Sequence, residues 1–248
     1  MRKTFVLCHG TWHGGLAWEE VIQDLRKLGH YAVAPTMAGH GPGVERHGIT
    51  HKDCADSVAE CVREHELRNV ILVGHSWGGT VAQRVAADMP ERTARVVFLD
   101  ALVLNDGERV FDILPDVFLE SLTPKNGNGS PAASENPGLL APPPWETWRD
   151  NFIQDAPEAV ARSTWERLSP EPSQVNLDTL DLTRFYSLKI PKSFIYCRQD
   201  KAMPPGFFHP RMSARLGDFK LVEMDGSHEV MFTRPAELAK RLVEAGTE

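Results

Sequence analysis

Between Asn69 and Thr80 the chain reads Asn69-Val70-Ile71-Leu72-Val73-Gly74-His75-Ser76-Trp77-Gly78-Gly79-Thr80, and this stretch leaves little choice of fold. Val70 to Val73 is an unbroken β-branched and aliphatic run ended by a glycine, the pattern of a strand buried on both faces of a parallel sheet. Gly74-His75-Ser76-Trp77-Gly78 then fits G-x-S-x-G, the strand-to-helix turn that lifts a serine hydroxyl clear of a sheet and aims the following backbone N–H groups at the same spot. A turn that tight brings the residues two before and two after the serine into backbone contact. Both positions need glycine, and the strain is tolerated where it exposes a nucleophile. The bland reading is a glycine turn that happens to hold a serine, and the surroundings choose between the two.

The 248 residues suit one α/β domain spanning 1–248, since no linker or internal repeat divides them. A formal charge of −7 with no basic stripe argues against nucleic acid as a partner, and no Lys/Arg cluster suggests a membrane surface. Met1-Arg2-Lys3 has the charge of a signal peptide's start, but the apolar run from Thr4 to Cys8 is too short for one. No segment approaches transmembrane length. Cys8, Cys54, Cys61 and Cys197 are scattered without a C-x-x-C pair, which fits reduced thiols in a cytoplasmic protein.

Thr4 to Cys8 reads as a buried strand, and His9-Gly10-Thr11-Trp12-His13-Gly14-Gly15 as a glycine-rich loop before an amphipathic stretch from Trp18 to Leu28. The loop matches neither phosphate-binding glycine pattern, so no nucleotide cofactor is expected. Its better use is half of an oxyanion hole, with Thr11 and Trp77 as the backbone donors. His30 to Pro35 reads as a second strand, and Thr50 as the cap of a helix from Lys52 to about Glu66. His40, His47 and His51, taken with His9 and His13, show no ligand-like pairing, so no metal is expected either.

Gly78 to Met89 is helical in pattern, and Arg95 to Asp100 is another buried strand. Asp100 sits at its carboxyl end, where ligands gather in open parallel sheets, and is either a site residue or the cap of the next turn. From Leu104 to Leu188 the alternation stops. Asn126 to Pro131 and Pro142 to Pro144 punctuate short helical pieces, and a strandless insertion of that kind predicts a lid. Its apolar residues Phe111, Leu114, Phe118, Leu122 and Phe152 are expected to cover the strand ends. Strands then return at Lys192 to Cys197 and Phe219 to Glu223, with Asp200 beyond the first and His228 beyond the second. Serine, a late acid and a final histidine follow the α/β-hydrolase order.

Taken together, His9-Gly10, Gly74 to Gly79, Asp200 and Gly226-Ser227-His228 resemble the α/β-hydrolase superfamily. The loop from His9 to Gly15, Gln199-Asp200-Lys201 and the spacing from Asp200 to His228 are similar to the small esterases related to plant methyl esterases and hydroxynitrile lyases. Phe98 to Leu102 with Asp106-Gly107 is closer to the bacterial esterases of that group. The resemblance implies an α/β-hydrolase fold of about six mainly parallel strands flanked by helices, with a helical lid (104–188) before the last two strands. It implies cofactor-free hydrolysis of a small aromatic or apolar ester, a carbamate included. Ser76 would be the nucleophile, His228 the base and Asp200 its partner, with Asp100 as the rival acid. Gly10, Trp12, Trp145, Trp148 and Phe111 are expected around the substrate, with a homodimer left open as the assembly. The lyases of the group carry threonine after the first-strand histidine and lysine after the last one. Gly10 and Glu229 stand there instead, and a carboxylate repels cyanide. A lyase and a slow-turnover receptor on the same fold are the alternatives.

Overall fold

The computed structural model describes residues 1–122 and 138–247. Its main elements, in chain order, begin β1 (Thr4–Cys8), α1 (Glu19–Lys27), β2 (Tyr31–Val33), α2 (His51–Glu64), β3 (Val70–His75), α3 (Gly78–Asp88) and β4 (Thr93–Leu99). Two-residue strands β5 (Leu139–Leu140) and β6 (Glu171–Pro172) flank α4 (Glu158–Trp165), and β7 (Lys192–Cys197), β8 (Lys220–Met224) and α5 (Pro235–Ala245) complete the series. Six strands form one sheet in the order β2-β1-β3-β4-β7-β8, and each neighbouring pair runs parallel.

Strand periodicity sorts the core onto the two faces. Val6, Cys8, Leu72, Val96, Phe98 and Phe194 pack with residues of α2 and α3, whereas Phe5, Leu7, Val73, Val97, Leu99 and Ile195 pack with α1 and α5. All six residues of β3 are buried, as its continuous apolar run predicts. Thr50 does cap α2. Its hydroxyl accepts the Asp53 N–H at 3.3 Å while the Asp53 carboxylate accepts the Thr50 N–H at 2.9 Å, and the helix starts at His51.

Three local expectations change. β2 ends at Val33, short of Pro35, because the Ala34 carbonyl leaves the sheet to press on Gly15, where no Cβ would fit. The last strand is shifted by one residue, as Met224 pairs with Cys197. The insertion is not strandless: Leu140 pairs antiparallel with Glu171, and the Ser173 N–H donates to the Gly138 carbonyl at 2.8 Å beside them. The turn expected at Asn126 to Pro131 and the side chain of Leu122 lie outside the described residues. Among the described residues no helix is long and apolar enough to cross a membrane.

Candidate active site

β3 ends at His75 and α3 starts at Gly78, so Ser76 and Trp77 alone make the corner. Ser76 sits at φ +52°, a left-handed conformation that costs a non-glycine residue roughly 1–3 kcal/mol and is held only by its surroundings. Here the Ser76 N–H donates to Leu99 O at 3.1 Å, and the Ser76 carbonyl accepts from the N–H groups of Leu102 at 2.9 Å and Gly79 at 3.1 Å. A Cβ on Gly74 would stand 2.5 Å from Gly78 O. One on Gly78 would fall on the His9 carbonyl and 2.7 Å from Cys8 O. Both glycines are therefore demanded by backbone contact.

The carboxyl ends of β7 and β8 bring in the next two groups. Asp200 is locked by its own N–H, which donates to Cys197 O at 3.1 Å, and by the Ala202 N–H, which donates to its Oδ1 at 2.8 Å. Its Oδ2 lies 2.6 Å from Nδ1 of His228, a buried, charge-assisted contact. Burial alone would lower the His228 imidazole. The charge and hydrogen bond of Asp200, then the charge of Glu229, override it and raise the group above its ordinary value. Phe208 stacks on the imidazole at 5.3 Å between ring centres. His75 donates from Nε2 to the His228 carbonyl at 3.0 Å. Its own pKa is pushed down to about 3 by burial and then by His228, so it stays a neutral donor.

Glu229 follows His228 directly and is also buried. Burial pushes its carboxyl up, but His13, with its nitrogen 3.2 Å away, and then His75 and His228 prevail and hold it down at about 2. Asp100 ends β4 behind the Asp200–His228 pair. It is fully buried, at φ +33°, and its two oxygens face the Cys197 N–H at 3.2 and 3.1 Å. His228 Nδ1 takes Asp200, not Asp100, as its carboxylate partner.

The loop after β1 is held from both ends. Met37 N–H donates to His9 Nε2 at 3.2 Å, which leaves Nδ1–H to donate to Gly10 O at 2.9 Å. Trp12, at φ +67°, gives its N–H to Glu171 on β6 at 3.4 Å, and its carbonyl accepts the Ser169 N–H at 3.0 Å. Among the described residues the N–H groups of Thr11 and Trp77 donate to nothing, and both residues border the cavity at Ser76. A Cβ on Gly10 would stand 2.9 Å from His75 Nδ1 and 3.2 Å from Ser76 Cβ, so the loop approaches the serine closely only as glycine.

Two narrow lobes meet at Ser76, each with about 20 Å³ of room, little more than one water. One is bounded by Gly10, His75, His228, Glu229 and Phe152. The other is bounded by Trp77, Leu102, Val110, Leu114, Leu140 and Asn176, and Thr11, Trp12, Phe118 and Met203 border both. Of the five residues expected around a substrate, Gly10 and Trp12 line these lobes, and Trp145, Trp148 and Phe111 do not. Trp148 is buried against Phe152, with ring centres 5.4 Å apart, and donates from its indole to Ala161 O at 3.2 Å. Trp145 stacks under the Arg162 guanidinium at 3.6 Å and meets Trp165 edge-on. They build the insertion's own core, whose inner surface reaches the cavity through Phe152. Met203 is a cavity residue that the sequence reading does not name, and its closeness to Asp200 in the chain is the available signal, whereas Glu229, singled out there beside His228, does border the cavity.

Comparison with known proteins agrees with the fold. The model of the family described as "Alpha/beta hydrolase family" matches residues 5–241. A carbendazim hydrolyzing esterase of Nocardioides sp. (strain SG-4G) is 31% identical over 250 residues, covering 98% of this chain and 99% of that one. Methylesterase 7 of Arabidopsis thaliana is 27% identical, covering 98% and 96%. The solved structure of an extracellular alpha/beta-hydrolase from a Paenibacillus species superposes with a TM-score of 0.87 at 36% identity, covering 99% of this chain and 100% of that one. With the family model spanning nearly the whole sheet and helix series, the chain belongs to the alpha/beta hydrolase family.

Proposed function

We propose that this chain is a serine-dependent ester hydrolase that works through an acyl-Ser76 intermediate. One observation carries the reading: a serine forced to φ +52° at a sheet end shares a cavity with a buried imidazole whose other nitrogen lies 2.6 Å from a carboxylate. His228, oriented by Asp200, takes the Ser76 proton as Oγ attacks the ester carbonyl, and the N–H groups of Thr11 and Trp77 stabilise the oxyanion. The imidazolium gives its proton to the departing alcohol. Water then enters, loses a proton to the same imidazole and attacks the acyl carbon, and the imidazolium returns that proton to Ser76 Oγ as the acyl–oxygen bond breaks and the acid is released.

The apolar walls Leu102, Val110, Leu114 and Leu140 of one lobe favour an apolar acyl group and the lobe beside His228 the leaving alcohol, and with about 20 Å³ in each a substrate enters only as Phe118, Leu140 and Phe152 give way. Esterase relatives named for carbendazim and for pyrethroids bring aryl and carbamate substrates into range for this chain. The segment 104–188 serves as the lid, since Phe118, Leu140 and Phe152 close the cavity from it. A cyanide-releasing lyase is disfavoured, because the ionised carboxylate of Glu229 borders the leaving-group lobe. The free thiols, with Cys8, Cys54 and Cys197 buried, support a reducing compartment.

Ser76→Ala is expected to lower kcat on a chromogenic short-chain aryl ester roughly 10⁴-fold or more. A panel of methyl esters, aryl esters, methyl carbamates and lactones, with mass-spectrometric detection of the adduct on Ser76, identifies the substrate class. Retained activity in Ser76→Ala, or single-turnover behaviour of the parent on every ester, would sink the proposal.

A further inference from the structure

We infer that Asp100 is a protonated carboxylic acid that donates a hydrogen bond to the Asp200 carboxylate, acting as a positioning residue for the Asp200–His228 pair. This inference rests on the hydrolase reading of Ser76, His228 and Asp200. The carboxyl oxygens of Asp100 and Asp200 and an imidazole nitrogen of His228 all lie within 4.8 Å of one another, which sets the two carboxyl groups side by side. Two carboxylates cannot bond to each other. One must carry the proton.

The donors decide which. Asp200 already receives the Ala202 N–H on Oδ1 and the imidazole on Oδ2, two donors that stabilise a negative charge. Asp100 receives only the Cys197 N–H, shared between its oxygens, and has no exposed surface. The charged or titratable groups that face it are Asp200, Cys197, Tyr196 and, within 4.8 Å, the His228 imidazole, whose Nδ1 is already taken by Asp200. Burial first, then the charge of Asp200 and the bond to it, push the Asp100 carboxyl well above the usual carboxylate range. Its backbone is fixed independently. The Asp100 N–H donates to Ile195 O at 3.0 Å, and φ is +33°, so the side chain is delivered to this spot by β4 and β7 under strain.

The consequence is geometric and electrostatic. A third donor on Asp200 limits its rotation about the Cβ–Cγ bond and so aims Oδ2 at His228 Nδ1. A neutral Asp100 also keeps the site at one negative charge on this side of the imidazole, where a second would over-stabilise the imidazolium and slow its proton return.

The test uses the full chain. Asp100→Asn keeps the shape and replaces the O–H donor with an amide N–H, so kcat should stay within about threefold of the parent, whereas Asp200→Asn should fall roughly 10⁴-fold. Asp100→Ala removes the donor, and kcat should fall tenfold or more with KM unchanged and with a displaced acid limb of the pH–kcat/KM profile. Should Asp100→Ala fail to fold, carbon-13 NMR of carboxyl-labelled aspartate in the parent, with Asp100→Asn as the assignment control, reads the same point. A carboxyl carbon that stays protonated through neutral pH is expected. An ionised Asp100 at neutral pH, a collapse of Asp100→Asn as deep as that of Asp200→Asn, or an unchanged Asp100→Ala would each overturn the inference. The NMR result needs no turnover, so it separates failure here from failure of the hydrolase reading, which Ser76→Ala reports.

Discussion

His228 feels burial pulling its pKa down and two carboxylates, Asp200 and Glu229, pulling it up, and the carboxylates prevail. The sign of the pH dependence follows. A base whose pKa is raised stays protonated to higher pH, so the acid limb of kcat/KM should lie above the ordinary imidazole value of roughly 6.5. Glu229→Gln removes one of the raising charges and should move that limb to lower pH, while the Asp200 contact continues to orient the ring. A pH–rate profile of the two proteins checks it, and a limb that moves upward contradicts the charge assignment. The same substitution should also relax discrimination against anionic leaving groups, because Glu229 borders the lobe beside His228.

At the scale of elements, the site is a corner between β3 and α3 clamped by the loop after β1 and by β6. The corner tolerates nothing larger than hydrogen at Gly78, where a Cβ meets backbone carbonyls that cannot turn aside. Gly78→Ala should therefore cost about 2–3 kcal/mol by forcing β1 and α3 apart, seen as a lower midpoint in urea with little change in slope. The β6 clamp depends on Glu171, which is fully buried. It accepts the Trp12 N–H at 3.4 Å and the Asn176 amide at 2.9 Å, and stands 3.2 Å from His40 Nε2. Glu171→Leu leaves those donors without an acceptor and should destabilise by roughly 3 kcal/mol. It should also lower kcat, since the loop bearing Thr11 loses its outer tie. Glu171→Gln, which keeps an acceptor oxygen, should lose less of both, and thermal melts with steady-state kinetics compare the two variants directly.

For the whole molecule, burial of histidines sets the response to acid. His9 is held well below its ordinary value by burial and then by His40, while His51 and His75 are pushed down to about 4 and about 3, by burial first in each case. Each takes up a proton more readily once unfolded, so the unfolded chain binds more protons below about pH 6.5, and stability falls as pH drops through that window. Glu229, held at about 2, adds to the loss below the ordinary carboxyl range. His228 and Asp100, both raised, work in the opposite sense but are fewer. Tm should fall by about 5 °C or more between pH 7 and pH 4, measured by calorimetry, and a flat profile would contradict the burial of neutral histidines.

The amino-acid sequence alone determined the parallel sheet, the glycines at Gly74 and Gly78, and the candidates Ser76, Asp200 and His228. Each is governed by short-range rules: the run of apolar residues in a buried strand, the backbone contact inside one turn, and the placement of loops at strand ends. Tertiary structure decided what depends on neighbours far apart in the chain. Asp100 meets Asp200 only because β4 lies beside β7, and Trp12 meets Glu171 only because β6 folds back over the loop after β1. Trp145 and Trp148 illustrate the same limit from the other side. An aromatic side chain is as well suited to an insertion's core as to a pocket, and the packing of Phe152 and Arg162 against them is what places them in the core.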